Sequence, residues 1–181
     1  MKKTTNLQQN QHAEQIELLI LDVDGVLTDG SLFYDNNGSE YKAFNSRDGH
    51  GLRMLQDQGI QVALLTGRQS ALVSHRAANL GIAEELVFQA YRDKRPAFQA
   101  ILEKTGLNAQ QCAYVGDDVI DLPVMMQVGL PIAVADAHPF VLQHAAWITD
   151  APGGRGAVRE VCEQLLAAKA CLQDVLNSYL Q

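Results

Sequence analysis

Residues 16–28 read IELLILDVDGVLT, and this stretch decides how the rest of the chain is read. Ile16 to Val23 is a nearly continuous apolar run, the pattern of a strand buried on both faces in a parallel sheet. Ligands of open parallel sheets bind outside the carboxyl ends of the strands. Asp22 and Asp24 stand at that end. Two carboxylates placed there are costly unless something compensates them, and a hard divalent cation such as Mg2+ would do so. A bare Asp-x-Asp also occurs as a capped turn, so the pair needs support from elsewhere in the chain.

Outward from this strand, apolar runs alternate with helical patterns. Further strands are expected at Gln61 to Leu65, Leu86 to Phe88, Cys112 to Val115, Ile132 to Ala135 and Trp147 to Thr149. Gly59, Gly81 and Gly106 follow amphipathic stretches, where a helix calls for a left-handed residue. Ser70 and Asn108 are candidate N-caps. The alternation implies an α/β fold, a doubly wound, mainly parallel sheet flanked by helices. Residues 30–45, GSLFYDNNGSEYKAFN, interrupt it with two β-rich arms around Asp35-Asn36-Asn37-Gly38, a hairpin signal. Its aromatic arms need a surface to cover, either on their own domain or between subunits. From Gly156 to Leu180, Val158, Val161, Leu165, Ala168, Leu172 and Leu176 recur at helical spacing and predict one long helix. The polar, Gln-rich residues 1–15 read as a disordered leader, and 16–181 as one domain.

The chain has 181 residues, 47% of them hydrophobic and 19% charged, in the range of a globular domain. A net charge of −7 argues against a nucleic-acid groove. No run approaches the length of a membrane span, and the start has no apolar signal-peptide core. Three cysteines without a CxxC pair fit a reducing compartment. The expectation is a cytoplasmic protein with no membrane or nucleic-acid partner.

The other strand ends carry matching chemistry. Leu65 is followed by Thr66-Gly67-Arg68, a hydroxyl and a backbone N–H suited to a phosphoryl oxygen. Lys94 opens the helix after the third strand, where an ammonium can neutralise a transferring phosphoryl group. Val115 is followed by Gly116-Asp117-Asp118-Val119-Ile120-Asp121, a second acidic cluster. Each motif is weak alone; their order and common location are specific. Asp118 and Asp121 read either as groups that orient Lys94 or a metal-bound water, or as carboxylates favoured at a helix N-terminus.

On these four motifs the chain resembles the haloacid dehalogenase superfamily of phosphotransferases, from Leu18 to about Leu166. The resemblance implies Asp22 as nucleophile, Asp24 as acid and then base, and Thr66 and Lys94 as phosphoryl-binding groups. It also implies Mg2+ held by the Asp22 carboxylate, the Asp24 main-chain carbonyl and Asp117. Longer stretches are similar to the 3-deoxy-D-manno-octulosonate 8-phosphate phosphatase family. They are Asp22 to Gly30, Asn45-Ser46-Arg47-Asp48-Gly49, Val115 to Met125, Ala133 to Ala137 and Pro152 to Glu160. That family lacks an inserted cap domain, and its hairpin builds a homotetramer whose neighbouring subunits close each site. The resemblance carries substrate contact onto Asp24, Asn45, Ser46, Arg47, Asp48, Gly49, Arg53, Thr66, Gly67, Arg68, Arg76 and Lys94. Arginine's planar fork suits the carboxylate and phosphate of a sugar acid phosphate. His50 either touches substrate or faces solvent, and Arg155 resembles a C-terminal element that contacts a site. The rival readings are a phosphatase of a nine-carbon keto-acid 9-phosphate, a phospho-receiver and a catalytically silent oligomerisation scaffold. The order of the acidic motifs disfavours the receiver, and the intact motif positions disfavour the scaffold.

Overall fold

The structure, a computed structural model, describes residues 12–181. In chain order the elements are β1 (Leu18–Leu21), β2 (Phe33–Tyr34), β3 (Glu40–Tyr41), α1 (Ser46–Asp57), β4 (Gln61–Leu65), α2 (Ala71–Leu80) and β5 (Val87–Phe88). They continue with α3 (Arg95–Thr105), β6 (Cys112–Gly116), α4 (Leu122–Met125), β7 (Leu130–Ala133), α5 (Pro139–His144), β8 (Trp147–Ile148), α6 (Ala157–Ala168) and α7 (Leu172–Ser178). Six strands form one parallel sheet in the order β5-β4-β1-β6-β7-β8, flanked by helices. Strand β1 lies inside it, with Leu18 opposite Gln61 on one side and Cys112 on the other, and all four of its residues are buried. This is the α/β architecture expected from the apolar run, and it sets the ends of β1, β4 and β6 side by side.

Local sequence explains the helix limits. Asn45 caps α1, its side chain accepting from the backbone N–H of Arg47 at 2.8 Å and of Asp48 at 3.4 Å. Helices α2 and α3 stop at Gly81 and Gly106, whose φ values of 70° and 69° suit a residue without Cβ. Strand β7, Leu130–Ala133, starts and ends two residues before the expected Ile132 to Ala135. Pro131 sits in the ladder opposite Tyr114, and its carbonyl accepts from Ala146 N–H at 2.9 Å.

Two expectations are corrected. The last helix is not continuous from Gly156 to Leu180. It breaks after α6 at Ala170, which has φ 57°, and Cys171 N–H returns to Leu166 O at 3.0 Å. The apolar period survives the break because Leu172, Val175 and Leu176 of α7 still pack on the core. The expected leader 1–15 is also too long: Ala13–Gln15 form a 3-10 turn with Ala13 fully buried. The rest of that expectation, residues 1–11, lies outside the described residues.

The hairpin is present and short. Phe33 pairs with Tyr41 and Tyr34 with Glu40, antiparallel. The Asp35 carboxylate ties the turn, accepting from Asn37 N–H at 2.9 Å and Ser39 N–H at 2.8 Å. Leu32, Phe33, Tyr34 and Tyr41 are 48–56% exposed, whereas Phe44 is packed against the core. Among the described residues no helix is long and apolar enough to cross a membrane.

Candidate active site

The end of β1 delivers Asp22 between its two neighbouring strands, with its N–H bonded to Val115 O at 3.1 Å. Lys94, which precedes α3, is fully buried, and its ammonium lies 2.9 Å from Asp22 Oδ1 and 2.6 Å from Asp121 Oδ1. It also donates to Tyr114 Oη at 3.0 Å, and Tyr114 O–H donates to Asp121 Oδ1 at 2.7 Å. The other oxygen of Asp121 accepts from the N–H groups of Asp117 at 3.0 Å and Asp118 at 3.1 Å. Both Asp121 oxygens are therefore engaged in orienting Lys94 and the loop after β6.

Electrostatics follow from this crowding. Burial raises the Asp22 carboxyl to about 6; Lys94 pulls it down and Asp121 pushes it up. Burial, with Asp22, Asp121 and Asp118 nearby, raises Asp117 to about 8. Burial works against the Lys94 ammonium, but Asp22 and Asp121 outweigh it and raise its pKa. Carboxyl oxygens of Asp22, Asp117 and Asp121 all lie within 4.8 Å of one another. Asp117 Oδ1 is buried and has no hydrogen-bond partner. An acidic group of this kind, with a buried acceptor left over, fits a hard divalent cation. Since both Asp121 oxygens are engaged, Asp22 and Asp117 are the carboxylates that could hold such an ion.

Backbone approach shapes the rest. Gly25 has φ +97°, and a Cβ there would lie 2.1 Å from Asp117 Oδ2, so only glycine lets the first loop meet the fourth-motif carboxylate. A Cβ on Gly153 would lie 1.7 Å from Gly25 O. The segment Pro152 to Gly156 thus clamps the Asp-x-Asp loop, and Gly154 N–H donates to Val26 O at 2.8 Å. Thr66 is buried at the end of β4, its hydroxyl accepting from Arg68 N–H at 3.3 Å. Gly67 is half-buried beside Tyr91 O and Ile120.

Three residues that sequence reasoning missed complete the site. Lys42 pairs with Asp24 Oδ1 and lies 3.4 Å from Glu40 Oε1. Arg68 holds Glu40 at 2.6 Å and Tyr34 Oη at 2.7 Å, and approaches Asp24 Oδ2 at 3.8 Å. The hairpin is therefore part of the site through Glu40 and Lys42. A lysine in a hairpin arm looks like any surface lysine in sequence; only its alternation with exposed Tyr41 could have marked it as inward-facing. Tyr114 was hidden in the same way, inside an apolar strand run.

The remaining expected residues divide. Asn45 donates from its side chain to Gly154 O at 3.4 Å, and Arg76 donates to Asn45 O at 3.3 Å and lies over the Phe44 ring. Arg76 also fills the space a Cβ on Gly49 would need. Ser46 and Arg47 are exposed at the start of α1. Asp48 points elsewhere: it is 1% exposed, and its carboxylate accepts from Gly156 N–H at 3.3 Å and Arg159 N–H at 2.8 Å. Both of its oxygens are engaged in capping α6. Arg53 lies at the far end of α2, its guanidinium against Gly81, because α1 runs away from the carboxyl ends of the strands. Asp118 is exposed and bonds Val119 N–H at 2.7 Å, so it does not reach Lys94. His50 packs edge-on against Tyr179, and Arg155 pairs with Asp29 at 3.0 Å.

A buried carboxylate, a second carboxylate two residues on, a buried lysine and an acidic group able to hold a cation, at adjacent strand ends, are the parts that phosphoryl transfer calls for. The haloacid dehalogenase-like hydrolase family profile matches residues 38–129. The 3-deoxy-D-manno-octulosonate 8-phosphate phosphatase KdsC of Salmonella typhi is 52% identical over 162 residues, 90% of this chain and 85% of the relative. The crystal structure of that phosphatase from Yersinia pestis is 49% identical, with TM-score 0.89 over 92% of this chain and 89% of that one. The Moraxella catarrhalis phosphatase, solved with magnesium, phosphate and KDO, is 39% identical, with TM-score 0.91 over 94% of this chain and 97% of that one. The chain belongs to the haloacid dehalogenase-like hydrolases and, within them, to the 3-deoxy-D-manno-octulosonate 8-phosphate phosphatase family.

Proposed function

We infer that the protein is a Mg2+-dependent phosphoric monoester hydrolase that converts 3-deoxy-D-manno-octulosonate 8-phosphate to the free sugar acid and phosphate. The observation that carries the reading is the Asp22–Lys94–Asp121 arrangement beside the unpartnered Asp117 oxygen, in a chain this similar to phosphatases of that substrate. Asp22 attacks phosphorus as its carboxylate; at neutral pH a carboxyl raised to about 6 is mostly ionised. As the Asp22–phosphorus bond forms, the ester bond breaks and Asp24 gives its proton to the leaving oxygen. Asp24 then takes a proton from the water that attacks the phospho-aspartate, which frees phosphate and restores Asp22. Lys94 and Thr66 hold the phosphoryl oxygens in line. Asp22, Asp117 and the Asp24 carbonyl would hold Mg2+, which, when bound, neutralises charge on those oxygens and keeps both carboxyls ionised.

Substrate contact is assigned to Asn45, Ser46, Arg47, Gly67, Arg68 and Arg76, on the family resemblance of the motifs that carry them. Grooves of about 300 and 360 Å3, lined by residues such as Met54 and Tyr179 or Ser74 and Gln89, include none of the cluster. The exposed aromatic hairpin fits assembly into a homotetramer that would close the sites. The three free cysteines suit a cytoplasmic location. A kcat/KM panel of keto-acid phosphates tests the substrate. The eight-carbon 8-phosphate is expected to lead; faster turnover of a nine-carbon 9-phosphate would assign the enzyme to the rival substrate.

A further inference from the structure

The residue that faces Asp24 comes from the hairpin. The Lys42 side chain is 1% exposed although the strand residue before it, Tyr41, is 56% exposed. A lysine turned inward from a surface hairpin is costly unless its charge is paired. Lys42 meets Asp24 Oδ1 and Glu40 Oε1, while Arg68 meets Glu40 and approaches Asp24 Oδ2. Each oxygen of Asp24 thus faces its own cation, and Glu40 ties the two cations together.

We propose that Lys42, seated by Glu40, is a positioning residue that fixes the orientation of the Asp24 carboxylate toward the leaving oxygen and then the water. The inference rests on the phosphatase reading above and deepens it. Asp24 stands on a loop and must serve two proton transfers without turning away. One oxygen held by the hairpin and the other flanked by Arg68 leave it a single orientation. Tyr41 and Lys42 are neighbours in sequence, one exposed and the other with its side chain buried against Asp24 and Glu40, so one hairpin arm carries both the exposed aromatic face and the group that holds Asp24. The hairpin is then a part of its own subunit's catalytic site, besides carrying the exposed aromatic side chains.

The test compares Lys42→Met, Lys42→Arg and Glu40→Gln on two esters. Alkyl 3-deoxy-D-manno-octulosonate 8-phosphate needs its leaving oxygen protonated; p-nitrophenyl phosphate does not, because nitrophenolate leaves unaided. Lys42→Met is expected to lower single-turnover cleavage of the alkyl ester about 10- to 100-fold. KM should change little, and the p-nitrophenolate burst should stay near wild type. Lys42→Arg should recover most of the loss, and Glu40→Gln should show the same selectivity at smaller size. Equal losses on both esters, a change confined to KM, or wild-type kinetics would overturn the proposal. If Lys42→Met does not fold, the selectivity of Glu40→Gln decides alone. A wild-type protein that cleaves neither ester would instead defeat the phosphatase reading itself.

Discussion

A fully buried lysine needs a carboxylate partner, and Lys94 has two, Asp22 and Asp121. Lys94→Met leaves both without their cation. It is expected to abolish turnover and to cost about 3–5 kcal/mol of stability, read by chemical denaturation. The same crowding gives a pH dependence. Asp22 at about 6 and Asp117 at about 8 bind protons more tightly folded than unfolded, where both titrate near 3.8. The metal-free protein therefore loses stability as pH rises from about 4 to about 8. A cation bound between the carboxylates reverses that loss, so the thermal shift on adding Mg2+ should be larger near pH 8 than near pH 5. Equal shifts at both values would remove the cation from this cluster. At this scale Asp22, Asp24, Thr66, Lys94 and Asp117 were legible because each follows an apolar strand in a fixed order. Lys42, Glu40 and Tyr114 were not, since their roles come from tertiary neighbours. The hold of Asp48 on α6 was not legible either, because its partners, Gly156 and Arg159, are distant in the chain.

Elements were legible where local chemistry sets them. Gly81 and Gly106 end helices as their spacing implies, and β1 follows from its apolar run. The break between α6 and α7 was not, because the apolar stripe runs on through it and Ala170 carries no turn signal. Its φ of 57° costs a residue with Cβ about 1–2 kcal/mol. Glycine relieves that strain but loses more chain entropy, so Ala170→Gly should raise stability by less than about 1 kcal/mol. The α6 cap gives a sharper expectation: Asp48→Ala should lower stability by about 1–2 kcal/mol, measured by urea denaturation. A change in KM with stability intact would instead return Asp48 to the substrate. Gly153→Ala forces a Cβ onto Gly25 O. It should displace the Asp-x-Asp loop and lower kcat about 100-fold.

The whole chain is short and acidic, 181 residues with a charge of −7, yet its proposed substrate is an anion. On the proposed function, the positive charge for binding would come from local groups such as Lys94, Arg68 and Arg76 together with Mg2+, rather than from the overall balance. Leu32, Phe33, Tyr34 and Tyr41 leave an aromatic face uncovered in the single chain. Light scattering is expected to give four times the 19.8 kDa of one chain. Phe33→Ser with Tyr41→Ser should shift that mass toward the monomer. The central claim is that Asp22, with the cation its neighbours are built to hold, hydrolyses a sugar acid phosphate. Phosphate release from 3-deoxy-D-manno-octulosonate 8-phosphate tests it most directly, with wild type in Mg2+, wild type in EDTA, and Asp22→Asn in Mg2+. The account predicts steady release in the first and none above background in the other two; release undiminished by EDTA or by Asp22→Asn would contradict it.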